Sequence, residues 1–126
     1  MRPIAAIFAC AWLLFVSPTA NADGGTMTAG DLQQICTDSN AESKSACRFY
    51  ILGVVQGVDM GMRIADGKTR GGRPCVPENM SGSALELAVK MKLGELLMVF
   101  PDDRKLDAAG LIGGILVKSF PCRKTN

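Results

Sequence analysis

The stretch CRFYILGVVQGVDMGMRIA, residues 47–65, carries the strongest structural signal in the chain. Its apolar residues recur at helical spacing, which predicts a long helix that runs through Ala65. Three glycines in it, Gly53, Gly57 and Gly61, recur every four residues and so form one stripe along that helix. Because glycine costs about 1 kcal/mol at an interior helix position relative to alanine, the stripe predicts that another backbone packs closely against it. That backbone belongs either to the same domain or to a second subunit or partner.

Three further helices are predicted around this one, and together they indicate an all-α fold, a small bundle of about four helices. Capping residues or turn formers precede each predicted helix, and a cysteine, a loop or a proline follows it. The predicted boundaries are Thr28 to Cys36, Glu42 or Ser43 to Ala65, Ser83 to Pro101, and Asp107 to Pro121.

The N-terminus has the three parts of a secretory signal peptide. Arg2 supplies a positive charge, residues 4–16 an apolar run, and Ala20-Asn21-Ala22 a cleavage site. The apolar run is shorter than the roughly 20 residues that a membrane helix needs, so no membrane anchor is expected after cleavage. We therefore predict a signal peptide over residues 1–22, a helical domain over residues 23–126, and a periplasmic location.

Four cysteines, Cys36, Cys47, Cys75 and Cys122, follow the predicted signal peptide, and an even number in a small exported chain indicates disulfides. Their spacings of 11, 28 and 47 residues lack the close C-x-x-C pairs of a zinc site. Four cysteines allow three pairings. The helix pattern favours Cys36 with Cys47, because antiparallel packing of the first two helices would place them opposite each other. Cys75 then pairs with Cys122 by elimination.

The sequence offers no constellation that is typical of an enzyme or a metal site. The chain has no histidine, which excludes Ser-His-Asp and Cys-His arrangements. Among its carboxylates, Asp102 and Asp103 lie in a predicted turn and Glu86 is explained by capping at Ser83. A small helical domain also has little room for a cleft that would shift the pKa of a carboxylate pair. A formal net charge of +2 and the absence of tryptophan from the mature chain argue against nucleic-acid binding. We predict a binding protein without cofactor or metal.

Two charged loops are the candidate partner-binding segments. The first, residues 66–74, is basic and rich in glycine, and it is either a solvated connector or a contact loop for an acidic partner surface. The second is a charged turn between the third and fourth helices, where charges of both signs favour steering and specificity. The candidate residues are Lys68, Arg70 and Arg73 in the first loop and Asp102, Asp103, Arg104 and Lys105 in the second.

A family pattern runs through nearly the whole mature chain. Its parts are a helix ending in Cys36, the segment from Cys47 to Gly53 with Gly57 following, Cys75-Val76-Pro77, and the closing Phe120-Pro121-Cys122. The pattern resembles the Tai-type immunity proteins, which are small periplasmic helical proteins that neutralise peptidoglycan amidase effectors of type VI secretion. The resemblance implies a possible homodimer, and a surface loop that occludes the cleft of a peptidoglycan-hydrolase effector.

Two other functions are compatible with the residues. One is a small periplasmic acid-stress chaperone, which without histidine would respond through carboxylates and only well below about pH 5. The other is an accessory protein with no inhibitory role. A neighbouring gene for a small exported cysteine hydrolase would favour the immunity function over both.

Overall fold

The computed structural model describes residues 25–65 and 72–122. Within these ranges four α-helices and one short 3-10 helix form the all-α fold that the sequence predicts. The predicted signal peptide, Lys68 and Arg70 lie outside the described residues. The elements are α1 (Ala29–Thr37), α2 (Ala41–Ile64), α3 (Gly82–Val99), the 3-10 helix (Pro101–Lys105) and α4 (Ala108–Ser119).

Each α-helix begins after a capping residue whose side chain accepts a hydrogen bond from a backbone N–H of the first turn. This hydrogen bond satisfies one donor that would otherwise be unpaired. The capping residues are Thr28, Asn40, Ser81 and Asp107. The predicted caps at Thr28 and Asp107 are confirmed. The predicted cap at Ser83 is wrong, because α3 starts two residues earlier. The hydroxyl of Ser81 caps it instead and accepts a hydrogen bond from the backbone amide of Ala84 at 3.2 Å. Glu86, expected to complete that cap, lies 3.8 Å from the Lys90 ammonium instead.

The core is built from one face of each α-helix and holds no polar side chain among the described residues. Its members are Ala29 and Leu32 of α1, Cys47 and Ile51 of α2, Leu85, Val89, Leu93 and Leu97 of α3, and Ala108, Ile112, Ile115 and Leu116 of α4. Although α2 has 24 residues, it contributes only two of these. Most of its length therefore lies at the surface.

Both predicted disulfides are confirmed, and both join segments that the helix packing brings together. Cys36 at the end of α1 pairs with Cys47 of α2, with their Cα atoms 5.0 Å apart. Cys75 before α3 pairs with Cys122 after α4, with their Cα atoms 4.9 Å apart. These separations lie within the range that disulfides adopt. The second bond ties the segment before α3 to the residues that follow α4.

The corner between α1 and α2 is organised by Asp38. Its carboxylate accepts hydrogen bonds from the backbone and side-chain amides of Asn40, at 3.1 and 2.7 Å, and from the hydroxyl of Ser43 at 3.1 Å. These hydrogen bonds, the one from the Asn40 backbone first, lower the pKa of Asp38 from its ordinary value. The carboxylate therefore supports the corner above its pKa and loses this role as the pH falls through it.

None of the helices in residues 25–65 and 72–122 combines the length and the apolar character that a membrane-spanning segment needs.

Candidate partner-binding surfaces

A groove with a volume of about 420 Å³ lies between α2 and residues 73–78, which precede α3. Apolar side chains from three elements line it: Val55 and Met62 of α2, Val76 of the segment, and Leu116 of α4. Its charged lining residues are Asp59, Arg63, Arg73 and Glu78. An apolar lining with charges of both signs suits a protein segment better than a single small anion.

Asp59 connects the two sides of this groove. Its carboxylate lies 2.9 Å from Nε of Arg63, one turn further along α2, and 3.7 Å from Nη2 of Arg73. The three side chains are 50%, 70% and 51% exposed, so each ion pair contributes about 0–1 kcal/mol and weakens with salt. Gly72, just before Arg73, has a φ of 79°, which glycine adopts without steric cost. Arg73, a predicted site residue, is thus placed on the groove by the backbone turn and by Asp59.

The predicted charged turn is a 3-10 helix whose charges face solvent while its backbone packs against α1. Pro101 ends α3 and opens the new helix. The side chains of Asp102 and Lys105 are 99% and 86% exposed, and their charged atoms lie 3.9 Å apart. On the opposite side, a Cβ added at Gly30 of α1 would lie 3.2 Å from the carbonyl oxygen of Arg104. Glycine at this position allows the close approach that holds the 3-10 helix in place.

Helix α4 keeps the two candidate segments apart. At its N-terminal end, next to the 3-10 helix, the amide of Ala108 donates to the carbonyl of Met27 at 2.9 Å. At its C-terminal end the amide of Cys75 donates to the carbonyl of Phe120 at 2.7 Å. The 12 residues of α4 separate these ends by about 18 Å. Arg73 and the 3-10 helix therefore belong to two surfaces rather than to one site.

The glycine stripe of α2 lies at the surface. A Cβ added at Gly53, Gly57 or Gly61 would meet no atom within 4 Å, and the nearby Met60 and Ile64 are 64% and 77% exposed. For the described residues, the prediction that a backbone of the same domain packs on the stripe is wrong, because no atom lies within 4 Å of a Cβ built at any of the three glycines. The alternative, that a subunit or partner covers it, stays a prediction.

Replacing Gly53 by alanine is expected to raise the free energy of unfolding by up to about 1 kcal/mol, because alanine favours the helix and its Cβ meets nothing. Urea unfolding of the mature protein at low concentration measures the change. Gly30→Ala is the matched control, since its Cβ would press on Arg104, and there we expect a smaller gain or a loss. Destabilisation by Gly53→Ala would mean that another backbone packs on the stripe.

Three charged residues of the groove were not predicted from the sequence: Asp59, Arg63 and Glu78. Asp59 and Arg63 stand four residues apart on a predicted helix, and this spacing could have been used to predict an ion pair between them. Nothing in the sequence indicated that Glu78 would face the same groove. In the described ranges no group of three or more Cys, Asp or Glu side chains is arranged to hold a metal ion.

A sequence profile of the Rap1a immunity proteins matches residues 28–122, a range that holds all four α-helices and all four disulfide cysteines. The chain belongs to the Rap1a immunity proteins. This confirms the expected assignment to an immunity family of type VI secretion. As a Rap1a immunity protein, it binds a toxic effector, and such proteins are generally not enzymes. No curated protein and no solved structure matches the chain.

Proposed function

We propose that this Rap1a immunity protein works in the periplasm, where it binds and occludes a peptidoglycan amidase effector of type VI secretion. The observation that carries the proposal is the family match over residues 28–122, which spans both disulfides. Two disulfides in a domain of this size are typical of an oxidising compartment, and residues 1–22 have the pattern of a cleavable signal peptide that ends near Ala22. The amidase target rests on the resemblance to the Tai-type proteins.

The 3-10 helix is the surface that we propose to enter the effector's cleft. It is short, strongly charged and exposed at Asp102 and Lys105, while its backbone packs against α1 at Gly30. A segment that is already ordered loses little conformational entropy when it binds, which favours high affinity from a small contact area. The charges of both signs would orient the effector during its approach.

The groove beside Arg73 is the proposed second contact. The ion pairs of Asp59 hold Arg73 only weakly, so this side chain can turn toward an acidic surface without a large loss of stability. Because about 18 Å separate the ends of α4, one effector would have to span that helix to reach both surfaces.

A homodimer is part of this proposal, as the resemblance implies. Two exposed apolar faces, one on α2 and one on α3, are available to a second copy.

The test is whether the purified mature protein inhibits a peptidoglycan amidase from the same genome. We expect Arg104→Glu combined with Lys105→Glu to weaken binding at least about tenfold, because reversing two charges of the occluding segment removes its electrostatic complementarity to the effector. The matched control reverses Lys44 and Arg48, one lysine and one arginine on the exposed N-terminal part of α2, and should inhibit like the unmodified protein.

Two outcomes would contradict parts of this proposal. If the 3-10 variant inhibits fully while Arg73→Glu does not, the groove and not the 3-10 helix is the occluding surface. If no peptidoglycan hydrolase from the same genome is bound or inhibited, the amidase target is wrong and the effector belongs to another class.

A further inference from the structure

An open pocket with a volume of about 250 Å³ lies between the C-terminal halves of α3 and α4. Most of its wall is apolar and comes from Leu96 and Val99 of α3, Phe100 directly after it, and Ile115 of α4. Ile115 is only 6% exposed and forms the floor, while Val99 and Phe100 are 66% and 58% exposed. We name this site the α3–α4 pocket. It is separate from the groove beside Arg73, which has a different lining.

The exposed ring of Phe100 is attached to a backbone that is fixed on both sides. The amide of Phe100 donates a hydrogen bond to the carbonyl of Leu96 at 2.8 Å, at the end of α3. Its carbonyl accepts a hydrogen bond from the amide of Asp103 at 3.1 Å, in the 3-10 helix. An aromatic side chain on an ordered backbone loses little conformational entropy when it binds. Aromatic residues beside pockets often contribute much of the affinity of a protein interface.

The rim of the α3–α4 pocket carries one positive charge in excess. Lys92 and Glu95 of α3 form an ion pair, with 2.7 Å between Nζ and Oε2. Lys118 of α4 also lines the pocket, and it has no carboxylate partner among the described residues. An uncompensated ammonium group beside an apolar wall is complementary to a carboxylate that stands next to an apolar side chain.

The size and the polarity of the pocket fit a side chain of another protein better than a cofactor. Its volume lies below the roughly 300–1,000 Å³ of sites for drug-sized ligands. No polar side chain of the described residues is buried, so the pocket lacks the fixed polar groups that orient a small molecule. One aromatic side chain, packed against Phe100 and Ile115, needs no such groups.

We propose that the α3–α4 pocket is the anchor site for an aromatic side chain of the effector, whose neighbouring carboxylate pairs with Lys118. Phe100 directly precedes Pro101, the first residue of the 3-10 helix, and Lys118 lies in the last turn of α4. The pocket therefore lies along the roughly 18 Å of α4 that one effector would span between the two proposed contacts. The charges of the 3-10 helix then set the rate of association, and the pocket sets the rate of dissociation.

The first experiment tests the chemistry of the pocket without any effector. The probe is an N-acetylated aspartyl-phenylalanine amide, titrated to about 10 mM, where a site of millimolar affinity is nearly saturated. We expect the amide resonances of Leu96, Phe100, Ile115 and Lys118 to shift in nuclear magnetic resonance spectra of the mature protein. The matched probe with lysine in place of aspartate should bind about two- to fivefold more weakly, because it opposes Lys118.

Lys118→Glu should reverse this order of the two probes. A purely structural role of Lys118 at the end of α4 would leave the order unchanged, and that result overturns the charge pairing. If none of the four resonances shifts with either probe, the pocket is not an anchor site.

The second experiment measures association and dissociation rates with a peptidoglycan amidase from the same genome. We expect Phe100→Ala to raise the dissociation rate at least about tenfold and to change the association rate less than about twofold. Phe49→Ala is the matched control, because Phe49 is 74% exposed on α2 and lines none of these pockets. Arg104→Glu combined with Lys105→Glu should instead change mainly the association rate and its dependence on salt. Circular dichroism verifies that each variant is folded.

The occupant of the pocket rests on the proposed function, whereas the ligand chemistry of the pocket does not, and the outcomes separate the two. Equal dissociation rates for Phe100→Ala and Phe49→Ala overturn the effector as occupant, even where the peptide probe binds. Light scattering that shows an oligomer broken by Phe100→Ala and not by Phe49→Ala overturns it as well, in favour of a second copy. If no amidase is bound, the proposed target and this occupant both fail, while the peptide titration still decides the pocket.

Discussion

Replacing both Cys75 and Cys122 by serine is expected to lower the free energy of unfolding by about 4 kcal/mol. The bond closes a loop across 47 sequence positions, and in the loop-entropy model a longer loop restricts the unfolded chain more. A loss of this size is comparable to the whole stability of a small domain, about 5–15 kcal/mol. The variant should also release residues 73–78 from the end of α4, and with them the position of Arg73 on the groove.

The measurement is urea unfolding of the mature protein followed by circular dichroism. The variant with serine at Cys36 and Cys47 is the control, because its bond closes only 11 positions and should account for about 3 kcal/mol. The two remaining cysteines stay paired in each variant, which non-reducing mass spectrometry verifies. A smaller loss for the longer loop than for the shorter one would contradict the entropic explanation.

Replacing Leu97 by alanine is expected to lower the free energy of unfolding by about 2–5 kcal/mol. Leu97 is fully buried near the end of α3, so truncation removes apolar contacts and leaves a cavity that the crosslinked helices cannot readily close. Thermal unfolding at low protein concentration measures the loss.

Leu87→Ala is the matched control on the same helix. It removes the same atoms from a side chain that is 58% exposed, and we expect a change within about 0.5 kcal/mol in the monomer. Equal losses for Leu97→Ala and Leu87→Ala in the monomer would show that both faces of α3 are packed within one chain.

Much of the fold was predictable because its determinants are local. The caps at Thr28 and Asp107 depend on residues within one helical turn, and the pairing of Cys36 with Cys47 follows from a short bend between two helices. The start of α3 was predicted two residues late because Ser83 and Glu86 match the capping-box pattern, which Ser81 lacks, although Ser81 is the residue that caps the helix.

The candidate site was predictable only in part. Arg73 was found because it stands in a basic segment, but the groove it lines needs α2, α4 and residues 73–78 together. Those segments are joined by the bond between Cys75 and Cys122 and by the backbone contact of Cys75 with Phe120. Side chains that meet across such distances in sequence leave no periodic signal.

The glycine stripe of α2 is the most distinctive feature of the sequence, but the sequence did not show whether anything packs on it. By itself, the sequence determined the helices and their approximate ends and favoured the pairing of Cys36 with Cys47, because propensity, capping and short loops act between neighbours along the chain. The pairing of Cys75 with Cys122 followed from it only by elimination. Only the tertiary structure decided which face of each helix is buried. Helix α2 has apolar residues or glycine around most of its circumference and α3 is apolar on two sides, so periodicity could not choose between them. Burial depends on what packs against a face, and that is decided by the other helices.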